Sequence, residues 1–167
     1  MNPVPGGRLH RTPQGLQLTL RRRFHAPIAD VWRSITDPAA TARWYGTWEG
    51  EGGTGGTVRV QMGFEKGQPW YEATIDACEP PRRLMMTSHD YGTWILEITL
   101  HEQAGVTELV FVNHQLDPAM VPDVGPGWEY YLDNLVAARE DGPLPTFDDY
   151  YPSQKAYYQA QLDALGD

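Results

Sequence analysis

Only one cysteine, Cys78, occurs in the 167 residues. An intramolecular disulfide and any multi-cysteine metal or redox motif are therefore excluded, and a buried, inert thiol is expected. No apolar run approaches the roughly 20 residues that a membrane span needs. The stretch Met1 to His10 carries Pro3, Pro5, Gly6 and Gly7 but lacks an apolar h-region. It reads as a loose arm rather than a signal peptide, with the cytoplasm as the expected compartment. Basic residues are scarce: 13 lysines and arginines face 22 aspartates and glutamates, for a formal net charge of −9. Such a surface repels the phosphate backbone that supplies most non-specific nucleic-acid affinity, so nucleic acid is not an expected partner. HExxH, CxxC, GxSxG and carboxylate clusters with metal spacing are all missing, and none of the five histidines (His10, His25, His89, His101 and His114) belongs to a ligand motif. Each is expected to play a structural or surface role. No metal or other cofactor and no catalytic residue is expected.

What is present is periodic. Leu16, Leu18, Leu20 and Phe24 share one parity and make a half-buried first strand. Within it, alternation sends Arg22 to the face opposite Arg21 and Arg23, and the cluster reads as a solvated strand end. Pro27 suits the first turn of a helix carrying Ile28, Val31, Trp32 and Ile35. Asp37-Pro38 opens a second short helix that carries Trp44 and Tyr45 and stops at Gly46. Gly50, Gly52 and Gly55 match a dinucleotide-loop spacing, but Val58, Val60, Met62 and Phe64 then alternate like a strand where that motif requires a helix, so the segment reads as a turn.

Four more strands follow: Tyr71 to Ala77, ended by Pro80-Pro81; Leu84 to His89; Trp94 to Leu100; and Thr107 to Asn113. Short turns between successive strands imply an antiparallel meander. A proline-rich connection, Pro118 to Pro126, leads to the strongest helix, Gly127 to Asp141, with an apolar stripe of Trp128, Tyr131, Leu132, Leu135 and Val136. Gly142-Pro143 ends it. The acidic, tyrosine-rich segment beyond reads as a further surface helix from Ser153 to Leu165.

Arg23-Phe24-His25-Ala26-Pro27, Val31-Trp32, Thr36-Asp37-Pro38 and Trp44, with Pro80-Pro81-Arg82-Arg83-Leu84 and Gly127-Trp128, resemble motifs of the family similar to activators of the heat-shock-protein-90 ATPase. That family lies within the START and birch-pollen-allergen-like (SRPBCC) superfamily. The resemblance covers roughly Leu16 to Asp141 and implies an α+β helix-grip fold. Its parts would be a curved antiparallel sheet of six to seven strands, two short helices and one long C-terminal helix. The chain then divides into a flexible arm (residues 1–15), a helix-grip domain (16–142) and a C-terminal extension (143–167) packed on the domain.

Parity and resemblance together place Met62, Phe64, Tyr71, Ile75, Trp94, Leu96, Phe111, Trp128, Tyr131 and Leu135 around a cavity between sheet and final helix, with Trp44 and Trp48 at its rim. Such an apolar lining suits a small hydrophobic molecule held without chemistry. Met85 and Met86 face opposite sides, and one of them adds adaptable surface. Two alternatives stand beside this reading. One is a protein-interaction or co-chaperone-like module that uses the acidic tail. The other is a cyclase or hydrolase relying on His89, Asp90, Tyr91 or Asn113. Oligomeric state is not legible in the sequence.

Overall fold

A computed structural model describes residues 2–166. Its single sheet has eight antiparallel strands: β1 (Arg8–Thr12), β2 (Gly15–Phe24), β3 (Trp48–Gly50), β4 (Thr57–Gln61), β5 (Trp70–Glu79), β6 (Arg83–Ser88), β7 (Trp94–Gln103) and β8 (Val106–His114). They are ordered β1-β2-β8-β7-β6-β5-β4-β3. The α-helices of the described residues are α1 (Ile28–Thr36), α2 (Pro38–Thr41), α3 (Val121–Arg139) and α4 (Lys155–Leu165). Helices α1 and α2 carry the chain from β2, near one edge of the sheet, to β3 at the other. The Asp37 side chain caps α2 by accepting from the N–H groups of Ala39 and Ala40.

The expected strands are all present, and two short ones were not anticipated. The first is β1, which lies inside the supposed loose arm and pairs with β2 from Arg8↔Thr19 to Thr12↔Gly15. The second is β3, which leads into the glycine-rich stretch and pairs with β4. Helix α2 is also shorter than expected: it ends at Thr41, and Trp44 and Tyr45 follow in turns. Gly46 is required there, since a Cβ would lie 1.6 Å from the Gln61 carbonyl oxygen.

The final helix begins at Val121 rather than Gly127. Pro122 stands in its first turn, where a missing N–H costs nothing. Pro126 lies buried inside the helix and removes one backbone bond. Gly125 gives the Tyr158 ring of α4 its closest approach, a Cβ there falling 2.5 Å from that ring. Helix α4 thus docks on α3, and Tyr158 is fully buried. No helix among the described residues is long and apolar enough to cross a membrane.

One buried carboxylate ties the termini together. Glu129 of α3 accepts from the Gly6 and Gly7 N–H groups at 3.1 and 3.0 Å and from the Tyr158 hydroxyl at 2.8 Å. Its other oxygen pairs with Arg22 at 3.3 Å. Arg22 also bonds Asp133, whereas Arg21 and Arg23 both reach Glu108. The alternation read for the three arginines is therefore correct. Arg22, however, is a half-buried link to α3 and not part of a solvated strand end.

The core falls into two clusters. One gathers Leu18, Leu20, Leu109, Phe111, Leu132 and Leu135 between α3 and the β2–β8 half of the sheet. Each fully buried leucine there contributes about 1.5–3 kcal/mol. The other consists of Val58, Val60, Tyr71, Ala73 and Ile75 on β4 and β5. Helix α3 supplies no member of this second cluster, so the apolar inner face of β4 to β6 lacks a helix lying directly on it.

Candidate functional site

An inner chamber of about 260 Å³ lies between the two clusters. Strands β4 to β8 provide Val58, Val60, Tyr71, Ile75, Leu84, Met86, Leu96, Ile98 and Phe111. Across from them stand Trp32 and Ile35 of α1, Trp44, Tyr45 and Trp48 of the following segment, and Trp128 and Leu132 of α3. An outer chamber of about 640 Å³ adjoins it, with Met62, Phe64, Trp94, Tyr130 and Tyr131 in its wall. Tyr45, Tyr71, Leu96 and Trp128 line both chambers and so form the seam between them.

The sequence-predicted set divides along this seam. Trp44, Trp48, Ile75 and Phe111 line the inner chamber, and Met62, Phe64, Trp94 and Tyr131 line the outer one. Tyr71, Leu96 and Trp128 line both. Leu135 lines neither: it is fully buried in the cluster under β2, because it lies two helical turns beyond Trp128. Met62 and Phe64 are past the end of β4, so they reach the outer chamber by way of a turn rather than by strand alternation.

Several wall residues were not foreseen. Val58 and Val60 share the parity of Met62 and were available to the same reasoning. Cys78 was not. A bulge between Ile75 and Ala77 shifts the β5–β6 register, pairing Ala77 with Met85 and Cys78 with Leu84. Parity on β5 flips at that point, so Cys78 turns inward beside Leu84 and the half-buried thiol joins the chamber wall. Met86 faces the chamber, while the Met85 sulfur accepts from Arg83.

The polar atoms of the wall are largely engaged. Trp44 Nε1 donates to the Ser34 carbonyl at 2.9 Å, Trp48 Nε1 to the Thr36 carbonyl at 2.9 Å, and Trp128 Nε1 to Asn113 Oδ1 at 3.1 Å. The Thr36 and Thr41 hydroxyls donate to the carbonyls of Trp32 and Pro38. Three indoles thus direct their polar edge to protein acceptors and leave ring surface to the chamber. The seam differs. Tyr45 and Tyr71 hydroxyls lie 2.9 Å apart, and the Tyr131 hydroxyl donates to Glu65. Burial pushes the Tyr71 phenol up to about 12. It also raises Tyr45, with Tyr71 adding to the effect, and Tyr131, with the Glu65 carboxylate adding to it. All three are neutral near pH 7. Tyr45 packs edge-on against Tyr131 and near-parallel to Trp128, with ring centroids 4.9 and 6.2 Å apart.

The outer chamber is bordered by apolar side chains that remain in water: Tyr91, Met120 and Phe147, which are 57, 38 and 40% exposed. The candidate acid–base residues do not converge. His89 and Asp90 are exposed, with Asp90 accepting from the Glu72 N–H, while Asn113 is buried and held by Trp128. Among the described residues no group of three or more His, Cys, Asp or Glu is placed to hold a metal ion.

An open antiparallel sheet gripping one long C-terminal helix, with a chamber between them, defines a protein of the helix-grip class. The family model described as Activator of Hsp90 ATPase homolog 1-like protein matches residues 25–140, and the chain belongs to that family. The chain is similar to the crystal structure of CalU16 from Micromonospora echinospora, at 25% identity and a TM-score of 0.76, with 95% of this chain and 97% of that one covered. It shares its fold with a conserved protein of unknown function, EF2215 of Enterococcus faecalis, at 20% identity and a TM-score of 0.75, covering 96% of this chain and 92% of that one. It also shares its fold with DynU16, a protein of the dynemicin biosynthetic locus, at 23% identity and a TM-score of 0.67, covering 81% of this chain and 50% of that one. No curated protein matches the chain.

Proposed function

We propose that the protein is a cytoplasmic, non-catalytic carrier or sensor that binds one small hydrophobic molecule between the sheet and α3. The carrying observation is the inner chamber: an apolar sheet face with no helix packed directly on it, walled in part by three indoles, Trp44, Trp48 and Trp128, whose N–H groups are bonded away from it. Apolar surface left to water is unfavourable by about 25 cal/mol per Å². A ligand that covers it recovers that free energy with little reorganisation of the wall. The exposed apolar rim of Tyr91, Met120 and Phe147 supports the outer chamber as the way in. The acidic tail offers less to a protein partner, because α4 is already docked on α3.

Titration with N-phenyl-1-naphthylamine, a neutral fluorophore that brightens in apolar surroundings, tests the proposal. The expected result is blue-shifted emission saturating at one probe per chain, lost in Cys78→Trp and Met86→Trp, which fill the inner chamber. Emission that never saturates, or that both variants leave intact, would remove the inner chamber from consideration.

A further inference from the structure

The two hydroxyls at the seam carry two hydrogens but share a single bond. Whichever of Tyr45 and Tyr71 donates across the 2.9 Å gap, the other keeps an O–H with no protein acceptor among the described residues. Two neighbouring polar side chains are committed: Trp128 to Asn113 and Tyr131 to Glu65. An unpaired donor away from bulk water costs about 1–3 kcal/mol, so an acceptor placed against it contributes on that order. Resting on the ligand-binding reading above, we propose that the ligand is an uncharged apolar molecule bearing a carbonyl oxygen, and that the Tyr45–Tyr71 pair holds this oxygen at the seam between the chambers.

Charge at the seam selects for neutrality. Burial keeps both phenols protonated, so they act as donors. The Glu65 carboxylate, one ring away through Tyr131, opposes an anion in the same space, and the two other charged side chains of the outer wall, Lys66 and Asp123, are exposed and of opposite sign. A cationic group offers the free hydrogen nothing to bond. The inner chamber sets the size of the apolar part. A dry cavity of about 150 Å³ takes benzene, so about 260 Å³ suits a fused bicyclic. Other wall donors make no hydrogen bond to protein, among them the half-buried Trp32 indole in the inner chamber and the Ser88 hydroxyl in the outer one, and the test must separate them from the tyrosines.

Three probes on one frame make the comparison: 2-acetylnaphthalene, 2-isopropylnaphthalene and 2-naphthoate. Their affinities are read from the shifts of the tryptophan indole N–H signals. The wild-type protein is expected to bind the ketone about tenfold more tightly than the hydrocarbon, the equivalent of one well-made hydrogen bond, and the carboxylate most weakly. Tyr45→Phe and Tyr71→Phe each keep a preference for the ketone, because the surviving hydroxyl then has a free hydrogen. Tyr45→Phe/Tyr71→Phe brings the ratio close to one, and Trp32→Phe and Ser88→Ala each leave it high. Equal wild-type binding of ketone and hydrocarbon, a preference that survives in the double variant, or tightest binding of the carboxylate each overturns the proposal and leaves the hydrophobic chamber standing. Failure of all three probes to bind overturns the chamber reading and this proposal together. Should the double variant not fold, the wild-type ratio and its persistence in both Trp32→Phe and Ser88→Ala decide.

Discussion

Tyr71 shows how one buried side chain couples the chamber to pH. Its phenol is pushed from an ordinary 10.0 up to about 12 by burial. Between those values the folded chain keeps a proton that the unfolded chain releases. The stability this group contributes is therefore complete below about pH 10 and is lost as pH rises toward about 12, at about 1.4 kcal/mol per pH unit. Tyr71→Phe has no such proton. Denaturant unfolding at about pH 9 and about pH 11 should show the wild-type protein losing more stability than the variant. A difference between the two proteins that does not change with pH would contradict the assignment.

Glu129 is the second residue on which much depends. Glu129→Ala strands two backbone N–H groups and the Tyr158 hydroxyl, leaves Arg22 only Asp133 as a carboxylate partner, and is expected to cost about 3–5 kcal/mol in urea unfolding. Glu129→Gln retains an acceptor and should cost less. A loss under about 1 kcal/mol for the alanine variant would mean that the cluster is solvated like a surface pair. Parity in the sequence separated Arg22 from its neighbours, but Glu129 is more than a hundred residues away, and nothing local announces that partner.

At the scale of elements, amphipathic helices and alternating strands were legible because one apolar face repeats at a fixed period. Departures came where the chain breaks its own period. The β5 bulge reverses parity after Ile75 and brings Cys78 inward, and no residue type in Asp76-Ala77-Cys78 marks that reversal. Gly125 and Pro126 look like a connection but belong to α3, since the reason for the glycine is the Tyr158 ring on a distant helix. Gly125→Ala sets two effects against each other. Helix propensity favours alanine by roughly 0.5–1 kcal/mol, whereas a Cβ at 2.5 Å from the ring overpacks the contact, at about 1–3 kcal/mol. Net destabilisation is expected, with α4 amides losing hydrogen-exchange protection before those of α3. A stabilised variant would show that α4 is not pressed against α3.

For the whole molecule, the antiparallel meander and the grip of a long helix followed from element sequence and from the family motifs, whereas the pairing of β2 with β8 did not. The number of strands did not, because β1 and β3 are short edge strands without strong alternation of their own. The candidate site was legible as a set of aromatic and aliphatic residues on the inner face. Its division into two chambers was not, since that depends on Tyr45 reaching across from the turns after α2 to meet Tyr71. The fold thus leaves its apolar sheet unevenly covered: α3 packs the β2–β8 half, and the β4–β6 half faces the chamber.

Intermolecular nuclear Overhauser contacts from bound 2-isopropylnaphthalene to the methyl groups of the protein address this uneven cover directly. Contacts to Ile75, Leu84 and Met86, deep in the inner chamber, are the predicted result. Contacts confined to Met120 and other groups at the outer rim, or no contacts at all, would contradict the account.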